Sequence, residues 1–147
     1  MSFSLVSLCR ACGTKNRIPA EHLSDKGTCG ACKKAIGPAD EPFDANEESF
    51  DALIQAAKVP VLVDFWAAWC GPCRAAAPEV KQLAADMAGR ALVLKVDIDA
   101  NPRLANRYGI QSIPNFVVLR RGKVAFQRAG MAPRTEMRRW LEAGESA

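Results

Sequence analysis

No apolar run in this chain is long enough to cross a bilayer. The longest, near Val59–Phe65, is broken by Pro60 and Asp64, so a membrane-spanning role is not expected. The opening residues Met1–Leu8 are mildly apolar but lack a basic segment, a full-length apolar stretch and a small-residue cleavage site, which argues against export. Net charge is small, formally +4, too little to imply a nucleic-acid or membrane-surface partner. Low-complexity tracts are absent, no internal repeat occurs beyond a duplicated cysteine spacing, and histidine occurs once, at His22. These absences fit a cytoplasmic protein, where stable structural disulfides are not expected and paired cysteines serve metal or redox chemistry.

What the chain does have is six cysteines, all in C-x-x-C pairs. Two pairs, Cys9/Cys12 and Cys29/Cys32, lie in a polar, basic stretch with few large apolar side chains. Such a segment cannot bury enough apolar area to fold alone without a staple. Sixteen residues separate the two pairs, a spacing suited to one zinc ion held by four thiolates. Gly13 and Gly30 fit the tight knuckle turns that aim two sulfurs at one ion. Four thiolates leave no open coordination position, so the expected zinc is structural, and it lowers the net charge to about +2. His22 lies between the knuckles and is expected at the surface. The composition shift at Gly37-Pro38 divides the chain into a zinc-binding module, 1–37, and a second domain, 38–147.

The third pair has different surroundings. Val59–Trp66 is a nearly continuous apolar, β-branched run, as expected of a strand buried on both faces. Cys70 follows it, and Pro72 opens a helical pattern running to about Met87 with Pro78 inside. A cysteine at a helix start is exposed to unpaired N–H groups and the positive end of the helix dipole, which favour the thiolate. Cys70 is therefore the expected nucleophile. Cys73, three residues on and more shielded, is the expected resolving cysteine. Asp64 interrupts the buried strand, where desolvation should raise its pKa and make it a proton acceptor.

Other elements follow from periodicity and caps. A helix is predicted from Asn46, with Glu47 and Glu48 in its first turn and Phe50, Leu53, Ile54 and Ala57 on one face. Leu92–Ile98 reads as a second buried strand, Asn101–Tyr108 as a short helix. Asn115–Arg120 and Lys123–Gln127 form a hairpin around Arg121-Gly122. An amphipathic helix from Pro133 buries Met137, Trp140 and Leu141. Strands alternating with helices define an α/β domain with a mixed sheet.

The pentapeptide Trp69-Cys70-Gly71-Pro72-Cys73 resembles the active-site motif of the thioredoxin family. Val63-Asp64-Phe65-Trp66-Ala67-Ala68-Trp69, Lys95-Val96-Asp97-Ile98-Asp99, Ile113-Pro114, Gly122 and Gly130 fall in the family's order. The resemblance spans about residues 40–145. With the four-cysteine module, the chain is similar to the zinc-containing bacterial branch. It implies a thioredoxin fold, a mixed central sheet flanked by helices, preceded by a zinc-ribbon-like module.

The resemblance also implies roles. Asp64 would deprotonate Cys73, and Lys95 would tune Asp64. Pro114, with Ile113 before it, would be the cis-proline that exposes backbone groups to an extended substrate. Trp69 would form the wall of that groove and Trp66 would pack beneath it. Gly71, Pro72 and Gly130 would complete the substrate-binding surface. Asn115 departs from the threonine common after that proline. Histidine, typical of oxidases between the two cysteines, is absent there, which points to a reductase of protein disulfides.

The implied partners are disulfide-containing proteins and an NADPH-dependent thioredoxin reductase. No organic cofactor is expected on this chain, nor nucleic acid, and a monomer is the expected state. Two rival readings use the same residues: a zinc-ribbon protein- or nucleic-acid-binding module on a redox scaffold, and a sensor whose N-terminal cysteines oxidise and release zinc.

Overall fold

The computed structural model describes residues 3–143. At the N-terminus, β1 (Ser4–Leu8) pairs antiparallel with β2 (Lys15–Pro19), and a 3-10 turn follows at Ala20–His22. A second small pair, β3 (Gly27–Thr28) and β4 (Ala35–Ile36), closes the module. The remaining elements are β5 (Phe43–Asp44), α1 (Phe50–Ala56), β6 (Val61–Trp66), α2 (Gly71–Asp86), β7 (Leu92–Asp97), α3 (Pro102–Arg107), β8 (Asn115–Arg120), β9 (Lys123–Ala129) and α4 (Arg134–Glu142).

The five-stranded sheet has the order β5-β7-β6-β8-β9. β5, β7 and β6 run parallel, whereas β8 and β9 are antiparallel to their neighbours. The mixed sheet expected from sequence is thus present. β6 sits at its centre with Val61–Phe65 all buried, which is why that strand reads as a continuous apolar run. Alternate residues feed two cores. Val61, Val63 and Phe65 join α1 and α3 through Phe50, Leu53 and Leu104. Leu62, Phe116 and Val118 meet α2 and α4 through Val80, Leu83, Met137 and Leu141. β8 and β9 are joined through Arg121 and Gly122, both at positive φ, as a two-residue hairpin with right-handed strand twist requires.

Two differences from the sequence reading have local causes. The first helix begins at Phe50, not just after Asn46. Asn46 closes the turn before the helix instead of capping it, its Oδ1 accepting the N–H groups of Glu48 and Ser49 at 2.9 Å each, while Ser49 takes the N-cap. Glu47, however, is drawn to α3: its N–H donates to Asn101 Oδ1 at 3.0 Å, and its carboxylate accepts the Arg103 N–H at 3.2 Å. An acid at the N-terminus of α3 favours that helix while holding its own segment out of α1.

The second difference concerns the module, which does not rely on a staple alone. Ala20 and Leu23 are buried in the same core as Phe50 and Leu53, with Phe3, Leu5 and Ile18 packed against it. Arg10 makes a two-pronged ion pair with Asp40 at 3.0 and 2.7 Å, and Lys58 pairs with Asp25. Exposed pairs of this kind contribute little. Burial of the apolar side chains is the larger contribution to the contact.

Candidate functional site

β6 delivers the chain to α2 through Ala67–Trp69, and Cys70 takes the N-cap of that helix with extended φ and ψ. Its Sγ accepts the Cys73 N–H at 3.1 Å. Pro72 lies in the first turn, where its missing N–H costs nothing. Cys70 and Cys73 are joined as a disulfide, with Cα atoms 5.3 Å apart. In the reduced form the same N–H and helix end favour a Cys70 thiolate. The expected contrast in shielding is not present in the oxidised form, where Cys70 is 4% and Cys73 6% exposed. Position in the helix, not exposure, distinguishes the two. Gly71 is exposed, and a side chain added there would meet nothing within 4 Å, so the fold leaves that surface open.

Trp69 stands beside the disulfide and is 65% exposed, its Nε1 donating to Asp99 Oδ2 at 2.9 Å. A hydrogen bond of this kind fixes an exposed indole that would otherwise turn freely. Asp99 carries no sequence signal for that task beyond its place in the Lys95–Asp99 stretch. Ile98 and Ile113, with Trp66, pack on Ala67, Cys70 and Cys73.

Asp64 is 2% exposed on β6, on the sheet face covered by α2, and Oδ1 has no hydrogen-bond partner among the described residues. Burial pushes its pKa up to about 6, against a smaller lowering by Lys95. Lys95 is its register partner on β7, and Lys95 Nζ lies over the Trp66 ring, 4.8 Å from the centroid. Lys95 and Trp66 also line a cavity of about 270 Å³ with Asp44, Asn46, Asp97 and Asn101. Asp64, Lys95 and Trp66 are therefore neighbours on β6 and β7.

The Ile113–Pro114 peptide bond is cis and Pro114 is buried. Gly130 donates its N–H to the Pro114 carbonyl at 2.8 Å. Gly130 has φ +95, and nothing lies within 4 Å of where a Cβ would stand. The backbone conformation, not crowding, is what demands glycine there.

In the N-terminal module the four sulfurs of Cys9, Cys12, Cys29 and Cys32 lie within 4.8 Å of one another. Cys9–Cys32 and Cys12–Cys29 are each 3.7 Å apart, too far for a disulfide. A tetrahedral zinc with bonds of about 2.3 Å sets its sulfurs about 3.8 Å apart. The donor set and its spacing fit one such ion, and all four are free thiols. Hydrogen bonds from the Cys32 N–H, the Asn16 amide and the Ala31 N–H lower the Cys29 thiol to about 6. Asn16 Nδ2 lies 3.5 Å from Cys29 Sγ and its Oδ1 accepts the Gly30 N–H at 3.0 Å. This supporting role had no signal in the sequence. His22 is exposed, pairs with Asp25 at 2.9 Å and stands apart from the cluster.

The knuckles repeat one backbone pattern, with a correction to the glycine assignment. Cys9 accepts from Gly13 at 2.7 Å, and Cys29 accepts from Lys33 at 3.1 Å. Gly13 has φ +78, but its counterpart in the second knuckle is Lys33, φ +66, not Gly30. Lys33 accepts the left-handed conformation while its Nζ donates to the Gly30 carbonyl at 2.9 Å. Gly13→Val should therefore cost on the order of 1–3 kcal/mol in thermal or denaturant unfolding. Lys33→Gly should cost nothing, since it relieves the same strain; equal losses in both would contradict this account.

These features are those of a thiol-disulfide oxidoreductase carrying a four-cysteine cluster whose spacing suits a metal ion. Residues 41–143 match the family model described as thioredoxin, and residues 8–34 match the one described as thioredoxin 2, N-terminal. The chain belongs to the thioredoxin family. Thioredoxin C-3 of Corynebacterium nephridii is 36% identical over 138 residues, 94% of each chain. Thioredoxin 2 of Chlorobaculum tepidum is 41% identical over 100 residues, covering 68% of this chain and 92% of its own. Among solved structures, chloroplastic thioredoxin z superposes with a TM-score of 0.68 at 33% identity, over 73% of this chain and 96% of that one. A mutant thioredoxin from Halobacterium salinarum gives 0.66 at 31% identity, over 71% and 91%.

Proposed function

We propose that this chain reduces protein disulfides through Cys70 and Cys73, while Cys9, Cys12, Cys29 and Cys32 hold a single structural zinc. The observation that carries the reading is Cys70 Sγ at the N-cap of α2, accepting the Cys73 N–H and bonded to Cys73. In the reduced protein the Cys70 thiolate attacks one sulfur of a substrate disulfide. That S–S bond breaks, a substrate thiolate leaves, and a Cys70–substrate disulfide forms. Asp64, its pKa raised by burial to about 6, takes the Cys73 proton. The Cys73 thiolate then attacks Cys70 Sγ, releasing the second substrate thiolate and closing the Cys70–Cys73 disulfide. Two electrons pass to the substrate.

Lys95 tunes Asp64, and Trp69, Gly71, Pro72, Ile113, Pro114 and Gly130 line the docking surface. A closed zinc site would contribute folding free energy and no open coordination position. The module, 1–37, would then be a metal-fastened cover and 38–147 the redox domain. Cysteines committed to a metal and to a redox pair rather than to structural disulfides fit a reducing, cytoplasmic setting. It would act as a monomer, recharged by an NADPH-dependent thioredoxin reductase.

Adding the protein to such a reductase, NADPH and insulin should produce NADPH oxidation that depends on both insulin and the protein. Zinc and thiol counts form the second arm. One zinc per chain is expected, with two thiols titrating in the reduced native protein and six after denaturation with a chelator. No insulin-dependent NADPH oxidation would overturn the reductase reading, and six reactive thiols in the native state would overturn the zinc reading.

A further inference from the structure

Asn115, directly after the buried proline, is 5% exposed, and its amide reaches in two directions. Nδ2 donates to the Ser112 carbonyl at 3.4 Å, and Oδ1 accepts from Gln127 Nε2 at 3.2 Å. The same Gln127 Nε2 donates to the Tyr108 carbonyl at 2.9 Å. Tyr108 is the C-cap of α3, Ser112 lies in the irregular segment leading to Pro114, and Gln127 is exposed on the edge strand β9. Two side chains thus bridge both ends of the loop to the sheet.

The loop has little else to hold it. Among the described residues Gln111, Ser112 and Ile113 make no backbone–backbone hydrogen bond. Yet Ile113 packs directly on Cys70, Cys73 and Ala67, so where this loop sits decides the shape of the surface beside the disulfide. The Pro114 carbonyl is already engaged by Gly130. The N–H and carbonyl of Ile113 are left for an extended chain to pair with. A threonine at 115, with one hydroxyl donor, is too short to reach both Ser112 and Gln127.

We propose that Asn115 and Gln127 act as one positioning pair, holding the Tyr108–Pro114 segment in register for an extended protein substrate. The proposal rests on the reductase reading and concerns docking, not the sulfur chemistry. Losing such a bridge loosens the loop before substrate arrives, and binding must then order it. The penalty falls on protein substrates and spares a small aromatic disulfide that needs no extended docking.

The decisive variant is Gln127→Met, because Gln127 is exposed and methionine keeps its length without a donor. KM for insulin should rise about two- to tenfold, the effect of losing neutral hydrogen bonds. The kcat for insulin and the rate with 5,5′-dithiobis(2-nitrobenzoate) should stay unchanged. Asn115→Ala should raise KM similarly, and the double variant should add little beyond either single change, because one unit is being broken. An unchanged insulin KM in Gln127→Met, an equal fall with both substrates, or full additivity in the double variant would each overturn the proposal. A wild type inactive on insulin removes the reductase reading and this inference with it; an active wild type with unaffected variants removes this inference alone.

Discussion

Cys70→Ser should abolish insulin reduction, whereas Cys73→Ser should leave a protein that attacks once and stays attached. The asymmetry follows from the two positions in α2. Cys70 occupies the N-cap, where its sulfur meets the Cys73 N–H at 3.1 Å and the positive end of a sixteen-residue helix. A serine hydroxyl there remains protonated at neutral pH and does not attack a disulfide. The loss should be at least about a thousandfold, the scale seen when a sole nucleophile is removed. Cys73→Ser keeps the attacking thiolate but not the group that resolves the mixed disulfide. Mass spectrometry of Cys73→Ser after exposure to insulin should therefore detect a covalent adduct cleaved by dithiothreitol, and Cys70→Ser should form none. Adducts of equal yield in both variants would reverse the assignment of roles.

Much of this site is readable because its pieces are local. The β-branched run to Trp66, then Cys70 and a proline two residues on, describes a buried strand feeding a helix start before any fold is known. The two C-x-x-C knuckles are equally local, and four sulfurs converge as their spacing implies. What the sequence conceals depends on partners far along the chain. Ala20 and Leu23 lie in a polar module yet enter the core of α1. Strands of two residues, such as β3 and β4, are too short for alternation to register. β9 is exposed throughout, so burial pattern cannot mark it, and only its turn does. Lys33 holds a conformation that glycine would signal. Asn16 with Cys29, Asp99 with Trp69, and Gln127 with Asn115 lie 13, 30 and 12 residues apart; no motif links them, and only the folded backbone brings each pair within hydrogen-bonding reach.

Asp64→Asn should make the protein more stable at neutral pH and slower as a reductase, and the pH dependence of the stability gain is the diagnostic reading. Burial raises the Asp64 pKa from 3.8 to about 6, and the sheet gives Oδ1 no compensating donor. Since the folded pKa lies above the unfolded one, the folded state binds the proton more tightly. Stability from this group is greatest below about pH 4 and is lost as pH rises through about 6. A shift of about two units corresponds to about 3 kcal/mol of destabilisation at pH 7 to 8. Asparagine removes the buried charge but leaves an amide with the same shortage of partners, which offsets part of the gain. A net increase of about 2 kcal/mol at pH 8 is expected by denaturant titration of the oxidised proteins. The difference between variant and wild type should shrink by roughly 1–1.5 kcal/mol at pH 5, where half or more of the native Asp64 is already protonated. Insulin reduction at pH 7 should fall about tenfold or more, because the proposed base for Cys73 is gone. The mixed disulfide should accumulate as it does in Cys73→Ser. A stability difference that stays constant from pH 5 to pH 8 would mean that Asp64 is not the titrating group, and the base role would fall with it.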